Sequence, residues 1–143
     1  MEETLTRLLP MLSSREEVIA ACLFGSHARG QAGADSDVDL GLVLRQPWFD
    51  GLTPARQARV AMDLIDLAGR AAPDIPLDVV ILDAAHPIAA WEAARTGRVL
   101  LCRDARAFDE FVLRSLHRYD DWLRLHRIEM EAVRRRLGLT ETA

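Results

Sequence analysis

The stretch that decides the fold runs from Gly25 to Leu40 and reads GSHARGQAGADSDVDL. An apolar run, Val18–Phe24, precedes it, and a second apolar run follows through Leu44. Short continuous apolar runs bounded by glycine-containing segments are typical of buried strands. The stretch therefore joins two predicted strands, and it is either an ordinary polar loop or a site that holds phosphate and metal.

The rest of the chain alternates between helical and strand patterns in the same way. Thr53 followed by Pro54 indicates a helix start, and Gly97 indicates a helix end. Alternation of helices and strands predicts an α/β-type layered sheet. The predicted helices are 3–13, 54 to about 69–72, 87–96 and about 105–137, with a possible helical turn at 26–30; the predicted strands are 18–24, 37–44, 77–82 and 98–102.

Length and charge limit the possible functions. The 143 residues, half of them apolar, fit one domain over 1–143, with a core at about 15–102 and a C-terminal tail at about 103–143. The net charge of −4 gives no support for nonspecific binding to nucleic acid. All 18 basic residues are arginines, which excludes a Walker A lysine and a Schiff-base lysine.

Cysteines and termini favour a soluble protein of the cytoplasm. Cys22 and Cys102 lie in apolar runs without metal-ligand spacing, so both are predicted to be buried reduced thiols. The first ten residues lack the basic-then-apolar pattern of a signal peptide. No stretch approaches the 18 apolar residues that predict a membrane span.

Three aspartates are candidate metal ligands. Asp37 and Asp39 are two residues apart, so in a strand they point to one face, with Cα atoms about 6.5–7 Å apart. Asp78 lies in the third predicted strand, where a carboxylate is costly unless it is solvated, paired or bound to metal. If this strand lies beside the second, the three carboxylates form a site for Mg²⁺. A solvated strand face is the alternative interpretation.

The residues after the first strand are candidates for phosphate binding. Gly25 has no side chain to block a ligand, and Ser26 adds a hydroxyl near backbone N–H groups at a helix start. Arg29 could contact phosphate with two N–H groups, or it could pair with Asp35. An ordinary turn is the alternative for this segment also.

These residues together resemble a known signature. Gly25-Ser26, ten further residues and then Asp37-Val38-Asp39 look like the motif of the DNA polymerase β-type nucleotidyltransferases. The wider strings FGSHARG, SDVDLGLVL and LDVVIL are similar to the minimal nucleotidyltransferase (MNT) family, particularly its MntA-type antitoxins. The resemblance covers about residues 18–102. It implies an α/β (α+β) nucleotidyltransferase fold, with a mixed sheet of about four strands, flanking helices and a long C-terminal helix.

The resemblance also implies roles for individual residues. Gly25 and Ser26 would hold the triphosphate of ATP. Asp37 and Asp39 would bind Mg²⁺, and Asp78 would complete a site for two ions and help to deprotonate the nucleophile. The implied activity is transfer of AMP from ATP to a tyrosine of a cognate HEPN-type RNase toxin resembling HepT, in a hetero-oligomer that neutralises the toxin.

Two other functions remain open at this stage. One is transfer to a small molecule, as in enzymes resembling the aminoglycoside nucleotidyltransferases, although these usually carry a further helical domain. The other is a noncatalytic antitoxin that covers its toxin. The chain is not itself the toxin, because the expected spacing of four to six residues between Arg and His is absent: Arg114–His117 and Arg118–His126 have two and seven.

The C-terminal tail carries an apolar stripe at helical spacing from Phe108 to Leu137. A helix of about 30 residues is long for a domain of this size. We therefore expect part of the stripe to be covered by a partner, with Tyr119 and Trp122 as aromatic anchors. Packing of these residues and Met130 in the protein's own core is the alternative interpretation.

Overall fold

A computed structural model describes residues 2–25, 30 and 37–139. The predicted turn at 26–30 lies outside the described residues, apart from Gly30. The elements are α1 (Glu2–Ser13), β1 (Val18–Phe24), β2 (Val38–Leu44), α2 (Pro54–Ala71), β3 (Leu77–Ile81), a 3-10 turn (Leu82–Ala84), α3 (Pro87–Thr96), β4 (Arg98–Cys102) and α4 (Ala105–Arg136).

The four strands form one mixed sheet in the order β3-β2-β1-β4. The strand β1 pairs antiparallel with both β2 and β4, whereas β2 and β3 are parallel neighbours. The chain crosses from β2 to β3 through α2, as a parallel pair requires. The predicted fold class is confirmed.

Each face of the sheet packs against its own pair of helices. Leu40 and Leu42 of β2 lie in a core with Leu8 of α1 and Leu64 of α2. The alternate residue Val43 lies in a second core with residues of α3 and α4. Because side chains alternate along a strand, Asp39 lies on the α3–α4 face, the same face as Val43. The neighbouring residues Val38 and Leu40 lie on the opposite face of the sheet and pack in the core with α1 and α2.

Side chains at the helix starts explain where three helices begin. The Thr53 hydroxyl accepts a hydrogen bond from the Arg56 N–H at the start of α2. The His86 Nδ1 accepts from the Ile88 N–H at the start of α3. The Asp104 carboxylate accepts a hydrogen bond from the Ala107 N–H at the start of α4. Such caps satisfy N–H groups that have no partner within the helix.

Some sequence predictions about burial and boundaries were wrong. The second strand starts at Val38 rather than Asp37, and the first helix starts at Glu2 rather than Glu3. Cys22 is buried, and burial raises the pKa of its thiol to about 11. Cys102 is exposed, because it ends β4 at an edge of the sheet that none of the other described strands covers. The third strand ends at Ile81 rather than Leu82, because the chain turns there into the 3-10 segment.

Asp83 carries a buried carboxylate. Its side chain is only 2% exposed and accepts hydrogen bonds from the Leu44 N–H at 2.7 Å and the Gln46 amide at 3.0 Å. The Arg114 guanidinium of α4 lies 3.7 Å away. These contacts join the ends of β2 and β3 to the last helix. Desolvation by burial nevertheless raises the pKa of Asp83, against the lowering effect of Leu44, Gln46 and Arg114.

We expect Asp83→Asn to change how the stability of the protein depends on pH. A carboxyl whose pKa is raised by folding favours the folded state below its ordinary pKa of about 4. This contribution is lost as the pH rises through the folded-state pKa. The variant should therefore gain stability relative to the wild type as the pH rises from about 4 to 8, measured by urea unfolding. Parallel stability curves for the two proteins would contradict the expectation.

The helix α4 divides into a packed half and an exposed half. Phe111 and Ser115 are buried, and Tyr119 and Trp122 are half-buried. From Arg124 to Leu139 every residue is exposed. None of the described helices is both long and apolar enough to cross a membrane.

Candidate active site

The sheet register places two of the candidate aspartates side by side. Asp39 of β2 and Asp78 of β3 are register partners in the parallel pair. Paired residues on neighbouring strands point to the same face of the sheet, about 4.8 Å apart. The condition on which the sequence argument depended, that the third strand lies beside the second, is therefore met.

Asp37 lies at the same end of the strands as Asp39 and Asp78, but it is outside β2. It immediately precedes β2, whose first residue Val38 donates its N–H to the Pro76 carbonyl at 2.8 Å. That bond joins the starts of β2 and β3, so Asp37 lies two residues from Asp39 at the edge where Asp78 also lies. Asp37 and Asp78 are exposed, and Asp39 is half-buried. Asp78 is thus a solvated carboxylate.

The described side chains do not form a complete metal site. Among them, no group of three or more His, Cys, Asp or Glu residues is close enough to hold a metal ion. Asp37, Asp39 and Asp78 share one edge, and their carboxylate oxygens are the donors that Mg²⁺ prefers. The donor set therefore fits a hard divalent cation, whereas the predicted convergence of the three carboxylates on one point is not present among the described residues.

Gly25 is required by the fold in a way that the sequence did not reveal. It follows β1 directly and has a φ of +69°, a conformation that L side chains rarely adopt. A Cβ built on Gly25 would collide with the Asp39 carboxylate, since the preceding Phe24 is the register partner of Asp39. The absent side chain thus makes room for a candidate ligand residue of the neighbouring strand.

Two of the predicted phosphate-binding residues cannot be placed. Ser26 and Arg29 lie outside the described residues, so the structure places only Gly25 of this group. The only signal for the contact between Gly25 and Asp39 was the glycine itself at a strand end. The pairing of β1 with β2 has to be known before that glycine can be matched to Asp39.

The chain belongs to the nucleotidyltransferase family of polymerase β, whose family model matches residues 6–106. The match spans the four strands and the candidate aspartates. None of the curated proteins matches the chain at a significant level.

Solved structures with the same fold come from toxin–antitoxin complexes. One is a toxin–antitoxin crystal structure with AMP-PNP, at 18% identity and a TM-score of 0.67, covering 90% of this chain and 97% of that one. The crystal structure of the toxin–antitoxin MntA–HepT is 16% identical with a TM-score of 0.63, and the match covers 93% of this chain and 98% of that one. A structure of a tri-AMPylated Shewanella oneidensis HEPN toxin in complex with MNT antitoxin is 16% identical with a TM-score of 0.62. The match covers 92% of this chain and 97% of that one. At these identities the likeness establishes the fold alone.

Proposed function

We propose that the protein is an antitoxin-type adenylyltransferase, which transfers AMP from ATP to a tyrosine of a cognate HEPN-type toxin. The observation that carries the proposal is the register of Asp39 with Asp78, beside a glycine whose missing side chain makes room for the Asp39 carboxylate. This arrangement lies within a nucleotidyltransferase domain. It supports the roles that the sequence resemblance implied for these residues.

The transfer step requires an acceptor hydroxyl in line with the α-phosphorus of ATP. The tyrosine oxygen forms a bond to that phosphorus, the bond to the β-phosphate oxygen breaks, and pyrophosphate leaves. Asp78 is exposed at the edge of the sheet and can take the proton from the attacking hydroxyl. Gly25, Ser26 and Arg29 are the proposed contacts to the triphosphate. Positioning and charge stabilisation account for most of such catalysis.

Asp37, Asp39 and Asp78 are the proposed ligands for Mg²⁺, as two ions. When bound, Mg²⁺ supplies positive charge that offsets the negative charge of the phosphates and of the clustered carboxylates. The protein's part is to hold Asp39 beside Asp78 on paired strands. Hydrophobic neighbours on the opposite face, Leu40 and Val79, keep both strands in place.

The proposed partner is a HEPN-type toxin in a hetero-oligomer in the cytoplasm. Three structures with this fold are complexes of toxin and antitoxin, and one of them contains an AMPylated toxin. Transfer to a small molecule is the second candidate. The toxin–antitoxin complexes among these structures favour a protein acceptor.

The test is to incubate the protein with ATP, Mg²⁺ and the protein encoded by the adjacent gene. We expect that protein to gain one or more AMP units on a tyrosine, as measured by mass spectrometry, and to lose RNase activity. An acceptor that loses RNase activity without gaining mass would instead identify a noncatalytic antitoxin. Transfer to an aminoglycoside, with the neighbour unmodified, would establish the second candidate.

A further inference from the structure

The exposed half of α4 carries apolar side chains that the described domain does not cover. We call residues 124–139 the α4 extension. Six large apolar side chains of this segment are between 38% and 65% exposed. Thirteen of its residues are helical, so it extends for about 20 Å beyond the packed half. The six side chains are Leu125, Ile128, Met130, Val133, Leu137 and Leu139.

These side chains continue the stripe that packs the first half of α4 onto the domain. Leu116, Leu123, Met130 and Leu137 follow one another at seven-residue intervals, and Val133 lies between the last two. Residues at such spacing lie on one side of a helix and form the seam of paired helices. The first two are half-buried, whereas the last two are exposed. The seam therefore continues past the point where the domain covers it.

The aromatic residues expected as anchors are used within the protein. Tyr119 stacks on Trp91 of α3 with ring centroids 6.1 Å apart. Trp122 contacts His86 at 5.3 Å and stacks on His126 at 4.8 Å. Because these rings join α4 to α3, the surface that remains for a partner lies farther along the helix.

Charge indicates what kind of partner fits. The α4 extension holds five arginines and two glutamates, a formal charge of +3, although the whole chain carries −4. Two copies of the extension would repel each other, which argues against pairing with itself. A helix or helical groove with acidic residues beside an apolar seam would match both its charge and its stripe.

We propose that the α4 extension docks its stripe of Met130, Val133 and Leu137 against an acid-flanked helical surface of the partner protein. This inference rests on the proposed function for the identity of the partner, the HEPN-type protein encoded by the adjacent gene. The docking surface and the candidate active site consist of different residues, because the aspartates lie in or next to β2 and β3 whereas the extension follows the packed half of α4. Docking and transfer can therefore be measured independently.

The test measures binding of the adjacent-gene protein to the full chain and its variants by calorimetry at low and high salt. Met130→Gln/Val133→Gln removes the apolar stripe and should weaken binding about tenfold or more, the size expected for residues central to an interface. Arg134→Gln/Arg135→Gln should weaken binding several-fold at low salt and reduce its salt dependence. The matched control, Glu129→Gln/Glu131→Gln, changes neighbouring positions and should bind equally or more tightly.

A variant with both Asp37 and Asp39 replaced by asparagine separates the two proposals. It should bind the adjacent-gene protein as the wild type does while transferring no AMP. If the wild type binds through the stripe without transferring AMP, the proposed function fails and the docking surface stands. If the stripe variant binds as tightly as the wild type, or if the wild type does not bind at all, the docking proposal is overturned. Stripe-dependent self-association in sedimentation, or binding of the extension to RNA or anionic vesicles in place of the protein, would also overturn it.

Discussion

The double variant Asp37→Asn/Asp39→Asn is expected to lose AMP transfer by about 10³-fold or more, the scale seen when charge stabilisation is removed from phosphoryl-transfer sites. Asparagine has the shape of aspartate without its charge. Since Asp37 is exposed and Asp39 is half-buried, the fold should survive the exchange. Transfer is measured as labelled AMP on the acceptor at saturating ATP and Mg²⁺.

Asp63→Asn is the matched control for this variant. Asp63 is an exposed carboxylate on α2, and α2 packs on the face of the sheet opposite to Asp39. The control removes one negative charge from the protein without touching the proposed site, so it should transfer AMP at the wild-type rate. Comparable transfer by the double variant and the control would reject the assignment of Asp37 and Asp39.

Replacing Gly25 by alanine is expected to reduce transfer by about 100-fold or more, as a misplacement of about 1 Å near the reacting groups can do. The added Cβ would collide with the Asp39 carboxylate, and the φ of +69° is strained for any residue with a side chain. The carboxylate has to move, and its position beside Asp78 changes with it. Transfer and unfolding free energy are both measured, since the two effects have different causes.

Gly138→Ala separates the steric effect from backbone strain. Gly138 has the same φ of +69°, yet a Cβ there would meet no atom within 4 Å, and the residue follows α4 far along the chain. We expect it to cost about 1–2 kcal/mol of local conformational energy. Because Gly138 lies in the α4 extension, transfer is compared at a saturating concentration of the acceptor, where the rate should equal that of the wild type. If Gly25→Ala transfers AMP as well as Gly138→Ala does, the close approach of Gly25 to Asp39 is irrelevant to activity.

Local sequence patterns determined the elements of this fold. The strands Val18–Phe24 and Arg98–Cys102 and the helix Pro87–Thr96 have the predicted bounds, and α2 begins at the predicted Pro54. Each bound depends on residues within a few positions: a continuous apolar run, a capping side chain, or a glycine or proline that ends a pattern. The family resemblance also followed from one local signature, and the family match confirmed it.

Contacts between distant parts of the chain were decided by the tertiary structure alone. The sequence drew attention to Asp78 as a carboxylate inside a strand, but Asp78 is exposed and Asp83 is the buried one. The difference arises because the end of β3 lies under α4, while its start lies at an open edge. The partners of Asp83 at Leu44 and Arg114 are 39 and 31 positions away, so no local pattern could identify them.

Local sequence patterns were also insufficient to predict how the candidate site is assembled and how much of the last helix is buried. The sequence predicted that Gly25 and Asp39 belong to one signature, because their types and spacing are local features, and it indicated Asp78 separately as a carboxylate within another strand. Only the pairing of β1 with β2 and of β2 with β3 placed them side by side. The apolar stripe of α4 was likewise evident from its spacing, but the point where the domain stops covering it depends on where α3 begins, because Trp122 contacts His86 at the start of α3. A periodic pattern records which side of a helix is apolar, and the packed neighbours decide how much of that side is left exposed.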